Sequence, residues 1–446
     1  MEGGMKRRSF LAGAISAAAI GAGCSTTQFA STRRPNIVII LADDLGLGDL
    51  GSYGAKLIRT PHLDAMARAG ARFTNFFASA NICSQSRAGL FTGRFAVRSG
   101  MANGVIQASD TVGLPPDEIT IAEMLKPDYA TALIGKWHLG HVPPYWPPRV
   151  QGFDYFFGLP YSHNMIPLSL YTSGEGVDLI AGEVDFHRLT AQFFERGIAF
   201  IEENRARPFF LTLALTAPHV PLDPNPDTHH HHSPAGDYGD VVEEIDSGVG
   251  ELVAKLRLLG IERDTLVIVT SDNGPWFEGS SGDARDRKGG AGWDGGYKVP
   301  LILHQPGRVP AGVVRDQLAM NIDFLPTLAN WTAATAPDRL LDGRDISAVI
   351  ADGAPSPHEQ LLLFNDTKIT GIRTKRWKLV RDSYYRGLNL DLSKYMITRQ
   401  GALLFDLEQD PGELYSVASR HPDVFEQMMA QLSAEQARYD ALARHD

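Results

Sequence analysis

The sequence predicts an α/β fold: a large, mainly parallel (mixed) sheet sandwiched by helices, followed by a smaller C-terminal α+β domain of antiparallel sheet plus helix. Three observations predict it. From Pro35 onward, short unbroken apolar runs alternate with longer stretches of helical spacing, the pattern of parallel strands buried on both faces and joined by helices. After about Gly353 the apolar runs become short and closely spaced. At 446 residues the chain is long for one domain, so a large domain with a small companion is the natural division.

The first 24 residues are set apart from the fold. Lys6, Arg7 and Arg8 precede an apolar run over residues 10–23, which ends at Cys24. A basic stretch before a short apolar one reads as a signal peptide, and the run falls short of the roughly 20 apolar residues of a membrane span. Paired arginines followed by Ser9, Phe10 and Leu11 resemble a twin-arginine signal. The run AIGAGC resembles a lipoprotein cleavage box, which would lipidate Cys24; the other reading of Cys24 is an incidental residue of a discarded peptide. The expected location is outside the cytoplasm, periplasmic or membrane-tethered as a lipoprotein, with the export machinery as a partner. Residues 25–34, polar and small, form a linker.

Residues 35–353 make the large domain. Residues 36–42 (NIVIILA) are the first buried strand, followed by helical spacing over 60–70 that opens with Thr-Pro, a good helix start. Further strands are expected at 130–134, 209–215 and 266–270, with helices at 118–126, 188–204 and 238–260. The stretch 351–357 (ADGAPSP) is the join. Residues 354–446 carry strands at 360–364, 368–374, 377–381 and 402–406, then a helix from about Pro422. The four histidines at 229–232 sit in a polar, Pro-flanked segment and read as a solvated loop.

The formal charge of −10 argues against a nucleic-acid partner, which calls for a basic footprint. It leaves an anionic small substrate open, because a local cluster of cations can override the global field. Only two cysteines exist. Once Cys24 is removed or lipidated, Cys83 has no partner for an intramolecular disulfide, and its thiol needs another purpose.

Chemistry collects just after the expected strands. NIVIILA is followed by Asp43 and Asp44, LVIVT by Ser271, Asp272 and Asn273, ATALI by Gly135, Lys136, Trp137 and His138, and FFLTLAL by Thr216, Ala217, Pro218 and His219. Open α/β sheets bind ligands outside the carboxyl ends of their strands, so parallel strands would deliver all four clusters to one edge. Three carboxylates and one amide form an oxygen donor set for a hard cation, Ca2+ first and Mg2+ second. Taken singly, Asp-Asp or Asp-Asn-Gly is an ordinary turn; their joint placement is what counts. Lys136, His138, His219 and Lys288 add donors for an anionic group, Lys288 from the glycine-rich run RKGGAGWDGG. At Cys83, Ser84 is expected to cap a helix starting near Gln85 and Ser86. That would put the thiol at an anion-binding helix start, with Arg87 one turn in. A free cysteine there is either a small buried hydrophobe or a reactive thiolate.

These residues resemble the sulfatase family of the alkaline phosphatase superfamily, specifically its arylsulfatase A-like branch. The resemblance covers nearly the whole mature chain and rests on an ordered series: LADDLGLGDLGSYG (41–54), CSQSRAGLFTGR (83–94), GKWHLG (135–140), GFDYFFGLPYSH (152–163), APHVPL (217–222), SDNG (271–274), KGGAGWDGGYKVP (288–300) and LFDLEQDPGELY (404–415). It implies a sulfuric ester hydrolase whose Cys83 is oxidised to Cα-formylglycine by a formylglycine-generating or sulfatase-maturating enzyme. It implies that Asp43, Asp44, Asp272, Asn273 and modified residue 83 hold the cation. A hydroxyl of the hydrated aldehyde would attack the ester sulfur, and His219 would act as general acid for the leaving alcohol, with Lys288 beside it. Lys136, Lys288 and Ser162 would grip the sulfate, and His219 would share in binding the substrate. Arg87 would steady residue 83, and His138 would take the proton that releases sulfate. The expected substrate is a sulfated small molecule or glycan. Gln85 stands where the family usually has proline, and Asp294 and Lys298 where glutamate and arginine are commoner. Two alternatives stay open: a phosphonate or phosphodiester hydrolase of the same superfamily, and a non-catalytic binder of sulfated glycans if Cys83 stays unmodified.

Overall fold

The computed structural model describes residues 1, 34–174, 177–229, 231–382 and 401–442. The expected signal peptide beyond Met1, Cys24 with its lipidation, and residues 25–33 of the linker lie outside the described residues.

The apolar runs become strands because helices cover both of their faces. In chain order the strands are β1 (Asn36–Ala42), β2 (Ala71–Phe73), β3 (Phe76–Phe77), β4 (Ala130–Lys136), β5 (Tyr155–Leu159), β6 (Leu170–Gly174), β7 (Val177–Gly182), β8 (Phe209–Ala214), β9 (Thr265–Ser271), β10 (Leu301–His304), β11 (Val313–Arg315) and β12 (Ala319–Met320). Ten of them form one sheet in the order β11-β2-β10-β9-β1-β8-β4-β5-β6-β7, while β3 pairs with β12. From β9 to β5 every pairing is parallel; β10 and the β6–β7 hairpin pair antiparallel. The sheet is mixed with a parallel centre.

β1 shows why its sequence has no polar alternation. Ile37, Ile39 and Leu41 pack into one core, and Val38, Ile40 and Ala42 into the other. Helices α1 (Pro61–Ala69), α4 (Leu189–Asn204) and α5 (Gly236–Leu258) cover the second face. The first is covered by α2 (Cys83–Thr92), α3 (Ile121–Leu125), α7 (Phe324–Thr332) and α8 (Ser347–Asp352); the one-turn α6 (Asp294–Tyr297) lies on the glycine-rich loop. Each fully buried Ile or Leu contributes on the order of 1.5–3 kcal/mol, which offsets the ordering of the chain around it. Helix α3 is shorter than the expected 118–126. Thr120 Oγ1 accepts from the Glu123 amide and Glu123 Oε2 from the Thr120 amide, and this capping box fixes the start.

The C-terminal strands β13 (Leu361–Asn365), β14 (Lys368–Arg373), β15 (Trp377–Val380) and β16 (Leu403–Asp406) form an antiparallel sheet in sequence order. Helix α9 (Pro422–Leu442) packs Met428, Leu432 and Tyr439 into the same core as Ile369, Ile372 and Leu379. That core also takes in Phe77, Phe95 and Tyr297, and residues from Arg34 onward form one compact unit. We propose Gly353, the left-handed cap of α8, as the join between the two sheets. In the expected solvated loop, His231 and His232 are exposed.

Register decides where the site falls. Ala42 pairs with Ser271, Leu41 with Ala214, Gly135 with Ala214, and Lys136 with Leu159, so five carboxyl ends finish nearly level. Gly135 sits at this edge with φ +117°, and a Cβ there would lie 1.9 Å from the Ala214 carbonyl oxygen. Gly260 also has positive φ but nothing within 4 Å. In urea unfolding, Gly135→Ala should cost about 3 kcal/mol or more, against about 1 kcal/mol for Gly260→Ala; equal losses would contradict the crowding.

Candidate active site

Cys83 is the first residue of α2, preceded by Ile82 in extended conformation with no side-chain cap. This corrects the expectation that Ser84 caps a helix starting near Gln85. The Ser84 hydroxyl instead accepts from the Ile106 amide at 3.1 Å, tying down the segment that meets His138. The consequence for Cys83 is closer placement: its side chain leaves from the helix start itself. Its Sγ lies 3.5 Å from Asp43 Oδ1, and the residue is 2% exposed.

Around it the strand ends supply a dense set of charges. Asp43 Oδ2 accepts from Lys136 Nζ at 2.5 Å, with Arg87 Nη2 at 3.9 Å. Arg87 donates from Nε to Asp272 Oδ2 at 2.9 Å and from Nη1 to the Lys136 carbonyl at 2.8 Å. Lys288 Nζ bridges both oxygens of Asp44 at 2.7 and 2.8 Å, and Asn273 Nδ2 donates to Asp44 Oδ1 at 2.7 Å. Asp43, Asp44, Cys83 and His219 present ligand atoms within 4.8 Å of one another. Asp44 and His138 hold φ of 66° and 61°, a left-handed strain common where side chains must be aimed at a site.

Burial raises the pKa of Asp43, yet Lys136, His219 and Arg87 outweigh it and hold the carboxyl well below its usual range. Burial raises Asp44 against the pull of Lys288, and raises Asp272 together with the Asp43 charge. The Cys83 thiol is pushed up to about 12 by burial, so the unmodified side chain is no thiolate near neutrality. Burial drives His219 down to about 3 and His138 well below 6.5, Lys136 adding to the latter. Both are neutral, and their tautomers follow from their partners. His138 Nε2 meets the Ile106 carbonyl at 2.9 Å, so it carries the hydrogen and leaves buried Nδ1 as a bare acceptor. His219 Nδ1 meets the Val220 carbonyl at 2.5 Å, which leaves Nε2 facing Asp44 Oδ2 at 3.8 Å. Burial works against the Lys288 charge, but Asp44 more than restores it.

The sequence model of the sulfatase family matches residues 35–334, and that of the N-sulphoglucosamine sulphohydrolase C-terminal region matches 292–438. Human arylsulfatase A is 35% identical, with 92% of this chain and 89% of that protein covered. The chain belongs to the sulfatase family. Mouse steryl-sulfatase is 33% identical over 91% of this chain and 82% of its own length. Among solved structures, PsFucS1 sulfatase from Pseudoalteromonas sp. superposes with a TM-score of 0.82 at 29% identity, covering 92% of this chain and 91% of that one. The phosphonate monoester hydrolase of Agrobacterium radiobacter shares the fold, with a TM-score of 0.65 at 20% identity over 90% of this chain and 96% of its own. This sulfatase is a sulfuric ester hydrolase.

Each expected site residue has a definite place in this sulfatase. Asp43, Asp44, Cys83, Arg87, Lys136, His219, Asp272, Asn273 and Lys288 form one network through the contacts above, and His138 borders it through the backbone of residues 136–138. Ser162, two residues beyond Pro160 at the end of β5, has a buried hydroxyl without a partner. Sequence reasoning missed β5 as a strand, and with it His163 as a site residue. The His163 ring lies 5.5 Å from that of His219, and its Nε2 meets the Pro221 carbonyl at 3.0 Å. The signal was the apolar YFFGL run ahead of Ser162 and His163.

The donor set fits a hard divalent cation. Asn273 Oδ1 is buried with no partner beside Asp44, and oxygen donors dominate the cluster. If Asp43, Asp44 and Asn273 take such an ion, titrating Ca2+ or Mg2+ into chelator-treated protein should raise the melting midpoint. Saturation at 100 times Kd is worth about 2.7 kcal/mol, and Asp44→Ala should remove the shift. An unchanged midpoint with both ions would exclude a tight site here.

Proposed function

We propose that this sulfatase hydrolyses a sulfate ester to an alcohol or phenol plus inorganic sulfate, using residue 83 after its oxidation to Cα-formylglycine and a divalent cation held by Asp43, Asp44, Asp272 and Asn273. The observation that carries the reading is the mismatch at Cys83. Its thiol is buried and protonated, inert as a nucleophile, yet every charged group of the site is gathered around it. Hydrated formylglycine would supply a hydroxyl nucleophile in place of that thiol, and the cation, Ca2+ first and Mg2+ second, would supply positive charge for the sulfate oxygens and for residue 83.

The chain's own residues do the rest. Lys136, Lys288 and the unpartnered Ser162 hydroxyl bind and orient the sulfate oxygens. Arg87, pinned between Asp272 and the Lys136 carbonyl, keeps the α2 start and the carboxylates in place. Asp272 helps to deprotonate the attacking hydroxyl. His138, with Nδ1 bare, receives the proton that accompanies sulfate release. His219 gives a proton to the leaving oxygen; neutral in the ligand-free arrangement, it takes that proton up once an anion sits beside it, and Lys288 is the neighbouring ammonium. The unmodified alternative binds sulfated glycans through the same cations.

Because Cys83 is enclosed, the maturing enzyme must reach it before the chain closes. We propose that the chain is exported, periplasmic or tethered as a lipoprotein through Cys24. Among the described residues no helix is long and apolar enough to cross a membrane.

Mass spectrometry of the residue-83 peptide, from protein made in its native host, should find the aldehyde or its hydrate. Cys83→Ser made in a host that oxidises only cysteine should lose turnover. A free thiol in the native protein would instead favour the binder. Clear preference for an aryl phosphonate ester over an aryl sulfate would favour the superfamily's phosphonate chemistry. His219→Ala should slow esters of poorly acidic alcohols by about 10²–10⁴-fold and those of nitrophenols far less; equal losses would make His219 a binding residue.

A further inference from the structure

Beside the catalytic edge lies an apolar surface that the sulfate chemistry does not use. Ile166 is 85% exposed and Ile180 66% exposed. With Leu168, Val184 and Phe186 they line a groove of about 490 Å³ between the 160s loop and the β6–β7 hairpin. Scattered apolar residues on a surface need no explanation, but a contiguous set lining a groove does.

The groove adjoins the acid–base end of the site through one shared side chain. Phe186 lines both it and the cleft that holds His163 and His219. The His163 ring lies 6.3 Å from Phe186 and 5.5 Å from His219, and His219 Nε2 is 3.8 Å from Asp44. A leaving alcohol that departs past His219 on its His163 side would meet Phe186 and then the isoleucines. Charge narrows what that alcohol can be. Among the described residues lining the cleft and the groove there is no Lys or Arg, and the acidic ones are Asp223 and Glu183. A polysulfated glycan chain would lay further anions against those carboxylates with no cation to pair them.

We propose that this groove is the leaving-group subsite, with Ile166, Ile180 and Phe186 as specificity residues, and that the substrate is the sulfate ester of a rigid, polycyclic apolar alcohol. The inference rests on the sulfate-ester reading above and names the substrate class for the same site. A fused ring system covers more of the groove than a single ring can, and an apolar pocket discriminates by such added carbon in the range of about 10–200-fold.

The test uses the full chain and the Ile166→Asn/Ile180→Asn variant, whose positions are exposed enough to leave folding intact. Calorimetric titration with 2-naphthol, which needs no turnover, should show binding to the parent protein that the variant weakens about tenfold. In parallel, kcat/KM for 2-naphthyl sulfate relative to a sulfated monosaccharide should fall about tenfold in the variant, through KM. Naphthol binding that is absent, or that the substitutions leave unchanged, overturns the subsite. So does a parent enzyme that prefers the sulfated monosaccharide. Sedimentation with phosphatidylglycerol vesicles that the substitutions abolish, with naphthol binding unaltered, would make the face a membrane surface and overturn it too. Naphthol binding that depends on the isoleucines, in a protein that cleaves no sulfate ester, upholds the subsite and rejects the proposed function.

Discussion

The structure depends on compensating charge buried at one sheet edge. Asp43 and Asp272 have fully buried side chains, and so do Arg87 and Lys136, the groups that pair with them. Unpaired, any of the four would cost several kcal/mol, because the interior cannot solvate it. The pairs form only if β1, β4 and β9 end level and α2 begins beside them. That requirement helps fix a register that unbroken apolar strands, alike on both faces, do not fix by themselves, and it accounts for the glycine at 135, where β4 passes against the Ala214 carbonyl. Fold and site are held by the same constraint.

Counting the charges sharpens the chemistry. Asp43, Asp44 and Asp272 are matched by Arg87, Lys136 and Lys288, while His138, His219 and Cys83 are neutral. A balanced site has no surplus to attract an anion, and the two ammoniums expected to grip sulfate are engaged on Asp43 and Asp44. A divalent cation taking up the carboxylates would free both ammoniums and leave the positive excess that a sulfate ester needs. The carboxylates that would hold the proposed ion and the two lysines that would grip the proposed sulfate are therefore each other's partners.

The strand-end clusters were legible in the sequence because they are local: an apolar run and the polar residues after it are neighbours in the chain, and parallel strands bring the ends together. The C-terminal sheet was legible for the same reason. Long-range matters were not. β5 was not among the expected strands, since only its pairing with β4 and β6 makes YFFGL a strand, and His163 was hidden with it. The Ser84 cap failed because the Ile106 amide, 22 residues away, competes for the same hydroxyl. The His219 tautomer depends on a carbonyl whose direction no spacing reveals.

The departures at residues 85 and 294 make sense once the small sheet is in place. Asp294 accepts from Lys378 and, at 3.0 Å, from Arg373 Nε; Lys378 also meets Glu413 at 2.7 Å, and Glu413 accepts from the Asp294 amide. These buried groups come from β14, β15 and the segment after β16, and they anchor the loop that carries Lys288. A shorter carboxylate suffices there because two cations reach in to meet it. Gln85 Nε2 donates to Asp366 Oδ1 and to the Ala102 carbonyl, each at 2.8 Å, tying the start of α2 to the β13–β14 turn. Proline has no such donor, so the amide adds a bond to the folded site that the usual residue could not make. The small sheet therefore grips both sides of the centre, residue 83 through Gln85 and Lys288 through Asp294. These contacts tether to one sheet both helix α2, which begins at residue 83, and the glycine-rich loop that carries Lys288.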